Sequence, residues 1–264
     1  MFEKAREKYK NTEFKMLIAK LIDKYEFCKT RNKITYTDFL AKSEVYILKK
    51  ILDEEKINNY IFWGGKEEAD RCILIFFPEK LDRIAIEKNY NKIFKVIRIK
   101  LPSNLNYKHS EFLSGIMKLG IKREKFGDII VTDFGADIIV FSELADVLCE
   151  DLKMLTRFRK SYISIENIKD VTIIKPEYEN INIIVSSIRL DNFISELARC
   201  SRTKATEVIS LGKVYINSVN EFKESKRLQV NDIITIRGKG KFIFDSIEKT
   251  TRSGKYLINI RKYK

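Results

Sequence analysis

Histidine is almost missing from this chain: His109 is the single copy in 264 residues. The four cysteines, Cys28, Cys72, Cys149 and Cys200, are scattered without a CxxC pair. These two shortages exclude a zinc site at workable ligand spacing, and any Cys/His catalysis would rest on His109 alone. Thiols so placed read as buried and reduced, as in a cytoplasmic protein. No apolar run approaches the roughly 18 residues of a spanning helix, and no N-terminal apolar h-region is present. The expectation is therefore no stable membrane association. No glycine-rich phosphate loop lies between a strand and a helix, because Gly238-Lys239-Gly240 sits in a hairpin, and no GxSxG elbow occurs. No cofactor and no catalytic residue is expected. Acidic residues are also in short supply, at 37 against 51 Lys and Arg, for a formal net charge of +14. That excess points to an anionic partner, nucleic acid ahead of a membrane surface. It is uneven: residues 181–264 hold 17 Lys and Arg against 8 Asp and Glu. A compositional bias toward lysine would not concentrate charge at one end.

What is present divides into three stretches, read as domains at 1–71, 72–178 and 179–264. Residues 1 to about 70 read as helical, with Phe14, Leu17, Ile18, Leu21, Ile22 and Tyr25 at helical spacing. A second helix is expected after Thr37 or Asp38, with Phe39, Leu40, Val45, Ile47 and Leu48 as its apolar set. The period then shortens after Trp63-Gly64-Gly65, where Glu67 and Asp70 read as loop or cap carboxylates. CILIFFP (72–78) and VIRIKLP (96–102) are strands ended by prolines. A helix over 110–119 follows, then strands at Ile129–Val131 and Ile138–Phe141 joined through Asp133–Asp137. A helix from Leu144 to Leu155 and a strand at Tyr162–Ile165 close the stretch. The order β-β-α-β-β-α-β predicts an α+β layer, ferredoxin-like or RRM-like. The RNP1 aromatics of an RNA-reading RRM are missing, so base stacking on this sheet is not expected. His109 reads as a cap or buttress of the 110–119 helix. The run Lys122-Arg123-Glu124-Lys125 sits on a tip from which Lys122, Arg123 and Lys125 would reach a phosphate.

A boundary is expected near Pro176, and after it comes the most informative stretch. Leu190, Phe193, Ile194 and Leu197 share one helical face, and Ala205, Val208 and Ile209 share another. Ser201 stands at an N-cap, Gly212 after the helix end, and Val214 and Ile216 alternate as a strand. Arg189, Arg199, Arg202, Lys204 and Lys213 interleave with these apolar positions, so burying the apolar face turns the cations outward. A helix N-terminus beside fixed cations suits phosphate. Asn217 is a candidate hydrogen bonder, and Arg237, Lys239 and Lys241 crowd the tip of a hairpin.

RLDNFI (189–194), SRTKA (201–205) and GKVYIN (212–217) closely resemble the S4 RNA-binding domain. Upstream, TDFL (37–40), GG…EADR (64–71) and LGIKREKFGDI (119–129) resemble the YlmH-type proteins. In these a C-terminal S4 domain follows an RRM-like middle domain and a helical N-terminal domain. Two positions depart from the pattern: His109-Ser110-Glu111 stands where the family has His-Arg-Asp, and Asn231 replaces the usual glycine. The resemblance implies a cytoplasmic, non-enzymatic, monomeric factor. It would bind 23S rRNA and tRNA on the large ribosomal subunit, in ribosome-associated quality control. The rival readings are an S4-bearing pseudouridine synthase or methyltransferase and a division-site membrane adaptor. The first lacks its signature, since the RLD at 189–191 follows Ile188 rather than glycine.

Overall fold

The apolar run after Arg71 is continuous because its strand is covered on both faces. A computed structural model describes residues 2–81, 83–88 and 90–264. Two compact units divide the chain, one ending at Ile174 and the other spanning Lys175–Lys264. The first unit begins with α1 (Glu3–Tyr9), α2 (Lys15–Arg31), β1 (Thr35–Tyr36), β2 (Leu40–Ala41), α3 (Lys42–Glu54), β3 (Tyr60–Trp63) and β4 (Arg71–Phe76). It continues through α4 (Arg83–Glu87), α5 (Tyr90–Ile93), β5 (Phe94–Lys100), α6 (His109–Lys118), β6 (Phe126–Thr132), β7 (Gly135–Phe141), α7 (Ser142–Met154) and β8 (Tyr162–Asn167).

β4 is the centre of an antiparallel sheet, with β3 along one side and β1 and β2 sharing the other. Its side chains alternate between two cores. Leu74 and Phe76 pack with Leu21 and Ile22 of α2 and Leu48 and Ile51 of α3. Ile73 and Ile75 face the other way, onto Phe94, Val96, Ile139 and Phe141 of a second sheet. That sheet is antiparallel in the order β6-β7-β5-β8. Its far face packs Ile97, Ile99, Ile138 and Val140 on Phe112 and Ile116 of α6 and Leu148 and Leu152 of α7. The unit is thus layered helix, sheet, sheet, helix.

Several expectations change at this level. The strand of CILIFFP belongs to the N-terminal sheet, so the middle layer is βαββαβ, in the ferredoxin-like strand order. Periodicity shows that a strand is buried on both faces, but not which strands flank it. Residues 1 to 70 are not helical throughout: β1, β2 and β3 intervene, and Leu40 and Phe39 precede α3 rather than belonging to it. The hairpin turn narrows to Asp133 and Phe134. In an RRM the bases stack on the sheet face opposite the helices. In this fold β4 occupies that face.

The second unit comprises β9 (Tyr178–Val185), α8 (Leu190–Ala198), α9 (Arg202–Ser210), β10 (Val214–Ile216), β11 (Val219–Asn220), β12 (Ile233–Ile236), β13 (Gly240–Thr250) and β14 (Tyr256–Tyr263). One antiparallel sheet runs β11-β10-β12-β13-β14-β9. Leu190, Phe193, Ile194, Ala205 and Ile209 of the helix pair pack onto Val214, Ile234, Phe244, Ile258 and Ile260. Asn231 has φ 73, the left-handed region that asparagine enters at the lowest cost after glycine, which accounts for its standing where a glycine is usual. Both units mix helices with antiparallel sheets, so the α+β class holds.

Candidate nucleic-acid interface

Asp191 organises the helix pair of the second unit. It lies in the first turn of α8 and is 2% exposed. Arg189, just before α8, donates from Nε and a terminal nitrogen to its two oxygens at 3.1 and 3.0 Å. Arg202, at the start of α9, donates from Nε and a terminal nitrogen at 2.9 and 2.6 Å. Burial pushes the Asp191 carboxyl up, but the hydrogen bonds from the two guanidinium groups outweigh it and hold the group below its ordinary range. A buried carboxylate therefore fixes two arginines whose side chains are 38% and 57% exposed. Planar guanidinium groups held in this way retain outward N–H donors.

Ser201 caps α9, its hydroxyl oxygen accepting from the Lys204 N–H at 3.2 Å. Arg202 and Lys204 fall in a first turn that has no acidic residue, where cations oppose the helix dipole. That placement is unfavourable for the free helix and favourable once an anion arrives. Lys204 pairs with Glu207 at 2.8 Å, and both are exposed. Arg199 ends α8 in the left-handed region, at φ 52, and is exposed.

The remaining basic positions lie elsewhere. Alternation along the strands puts Lys213, Tyr215, Thr235 and Lys241 on the sheet face away from the helices. Arg237 donates to the Tyr215 hydroxyl at 3.2 Å, and Lys241 lies 4.5 Å from the centre of the Tyr263 ring. Arg261 stands 5.2 Å from the Tyr178 ring, and Tyr178 meets Tyr263 edge to face. Cations and tyrosines thus alternate across this face, with Lys239 exposed in the adjoining turn. Tyr178, Tyr263 and Arg261 do not stand out in the sequence. Their signal, outward positions on two strands about 80 residues apart, exists only once the β9–β14 pairing is known. Asn217 is turned inward, its amide donating to Asp232 at 2.8 Å and accepting from the Ile233 N–H at 2.9 Å.

In the first unit, the run at 122–125 divides its side chains. Lys122 is exposed. Arg123 turns inward and donates to the carbonyls of Phe126 and Gly127 at 2.7 and 3.0 Å. Its burial, aided by the nearby Arg71 charge, brings its pKa down to about 10. Lys125 is paired with Asp38 at 2.6 Å. The neighbouring residues act as a clasp between the two sheets. Asp128 accepts the N–H groups of Asp70 and Arg71, both at 2.9 Å, and the Lys66 ammonium at 3.2 Å. Phe39 donates its N–H to the Glu124 carbonyl, and a Cβ on Gly127 would stand 2.7 Å from the Phe39 ring. His109 is exposed in the first turn of α6 and does not cap it; Glu111 accepts the Lys108 N–H instead. Among the described residues no group of three His, Cys, Asp or Glu side chains is placed to hold a metal ion. No described helix is long and apolar enough to cross a membrane.

Residues 87–171 match the family model described as "Putative RNA-binding domain in YlmH". The chain is 28% identical over 235 residues to the ribosome-associated protein quality control protein P2 of Bacillus subtilis, covering 88% of each chain. A solved structure titled cell division protein ylmH from Streptococcus pneumoniae is 16% identical, with a TM-score of 0.46, over 61% of this chain and 95% of that one. The YlmH-type likeness read from the sequence motifs is borne out.

Proposed function

We propose that this YlmH-type chain is a non-enzymatic RNA-binding factor whose second unit is an S4 module. It grips the phosphate backbone of structured rRNA and tRNA on the large ribosomal subunit. The observation that carries this reading is the Asp191-anchored pair, Arg189 and Arg202, beside Lys204 at the start of α9. Arginines whose planes are fixed before binding lose little freedom when they meet phosphate oxygens. The YlmH-type RNA-binding match over 87–171 and the ribosome-associated name of the Bacillus relative support the same class of partner. On this reading the protein works in the cytoplasm as a monomer and assists stalled peptidyl-tRNA complexes.

The test is the double variant Arg202→Ala with Lys204→Ala, assayed on isolated large subunits over a range of salt. Losing two phosphate contacts should weaken binding about 10- to 100-fold and reduce the slope of log K against log salt by about 2. A folded double variant with unaltered affinity and slope would sink the assignment.

A further inference from the structure

The helix pair covers one face of the six-stranded sheet in the second unit. Strand alternation and register bring Tyr215, Thr235, Lys241, Tyr263 and Tyr178 side by side across the other face. Neighbouring strands lie about 4.8 Å apart, so this row runs about 19 Å over five strands. At its edge the Arg237 N–H bonds the Lys213 carbonyl, and both side chains are exposed. Neither has a carboxylate partner among the described residues. The Asp245 carboxylate on this face is taken by Arg261 at 2.7 Å. The apolar residues of the next row do not protrude: Ile233 is half-buried and Ile243 is buried. The exposed Ile184 stands six residues from Tyr178 along β9, about 20 Å away.

Rings and cations set alternately on a flat face suit a partner that repeats an anion and a planar group. An acidic peptide meets the cations but gives the rings nothing to stack on. A bilayer surface asks for protruding apolar side chains, which this row lacks. A duplex offers phosphates and keeps its bases inside. A single strand presents one phosphate and one base face per nucleotide, and such strands bind where aromatics lie among cations. Arg237 holds the Tyr215 hydroxyl at 3.2 Å, so its charge stands at the polar end of that ring, 5.9 Å from the centre. We propose that this sheet face is a second RNA surface, for a single-stranded segment lying across the strands. Its bases stack on Tyr215, Tyr263 and Tyr178, and its phosphates meet Lys213, Arg237 and Lys241. The inference rests on the RNA-binding reading above and adds to it. Because the sheet lies between this face and the helix pair, one small unit joins two RNA segments, one structured and one unpaired.

The full chain is titrated against a dye-labelled uridine hexamer, followed by anisotropy, with isolated large subunits assayed alongside. Tyr215→Ala with Tyr263→Ala should weaken hexamer binding tenfold or more, whereas Tyr215→Phe with Tyr263→Phe keeps both rings and stays within about threefold. Arg202→Ala with Lys204→Ala should also leave the hexamer within about threefold while it weakens large-subunit binding. In the unaltered chain, where folding is not in question, a thiouridine hexamer is photocrosslinked and its adducts are mapped. They should fall on β9, β10, β13 or β14. Adducts confined to α8 and α9, or hexamer affinity untouched by loss of both rings, overturn the sheet platform and leave the RNA-binding reading standing. So does a chain that binds large subunits but sediments with phosphatidylserine vesicles in place of hexamers. A glutamate hexapeptide that competes as well as the RNA would reduce the face to a charge patch and overturn it too. Hexamers and large subunits that both fail to bind overturn the RNA-binding reading as well.

Discussion

Replacing Asp191 by alanine is expected to destabilise the second unit by about 2–4 kcal/mol and to remove most of its RNA affinity. The carboxylate is buried, and it positions its two guanidinium partners. Breaking an enclosed ion pair by deleting one member costs about 3–5 kcal/mol. The cost at Asp191 is smaller because Arg189 and Arg202 keep access to water. Both arginines would survive the substitution, so the net charge would rise while binding falls. That opposite movement separates positioning from simple electrostatics. Thermal unfolding and affinity for large subunits measure the two effects, and a variant with wild-type values for both would refute the assignment. The pH dependence follows from the sign of the shift. The folded Asp191 carboxyl titrates below its ordinary value, so its contribution is present above the unfolded pKa near 3.9 and is lost as pH falls through the lower folded value. The variant should show a shallower loss of stability on acidification.

Asp137→Ala should destabilise the first unit to a similar degree, by about 3 kcal/mol. Asp137 is 2% exposed in β7 and receives Nε and a terminal nitrogen of Arg98, both at 2.8 Å. It also accepts the Thr172 N–H at 2.8 Å and the Thr172 hydroxyl at 2.7 Å. Burial raises its pKa, and the bonds from Arg98 and Thr172 more than reverse this. Arg98 reaches on to the Asp170 carbonyl at 2.6 Å, so one carboxylate fastens residues 170–172 to the sheet. Val171 lies in that segment and, with Ile168 and Lys169 just before it, lines a cavity of the first unit beside Trp63. The variant should therefore melt earlier and shift the Trp63 emission to longer wavelength as the wall loosens. A lowered melting point with an unchanged spectrum would show that the segment is held by its apolar contacts alone.

What could be read from the sequence was what is local. The α8–α9 pair, its Ser201 cap and the strand after Gly212 all lie within about 30 residues, where helical spacing and cap chemistry dictate the result. Cations between apolar positions on such a short module had to face outward. The interleaving did not show that Asp191 would be their anchor, because an acidic residue in a first helical turn reads as an ordinary dipole partner. Arg123 and Lys122 look alike in a charge run, yet one is half-buried over the Phe126 ring at 4.4 Å and the other is exposed. Only the docking of Phe39 and Arg71 around that loop decides between them. β9 went unread because the asparagines in YENINIIV, poor strand formers, obscure its alternation. Its identity as a strand comes from β14, which pairs with it along its whole length.

The second face of the middle sheet has a consequence for where this chain can be cut. Phe94, Val96, Ile139 and Phe141 are sealed by Ile61, Ile73 and Ile75, which precede the segment matched by the family model, 87–171. A polypeptide trimmed to those limits would present the four side chains to water as one sticky patch and would self-associate. The segment that the family model matches is thus smaller than the unit that folds. A middle segment grafted between relatives would have to bring the strand at 71–76 with it.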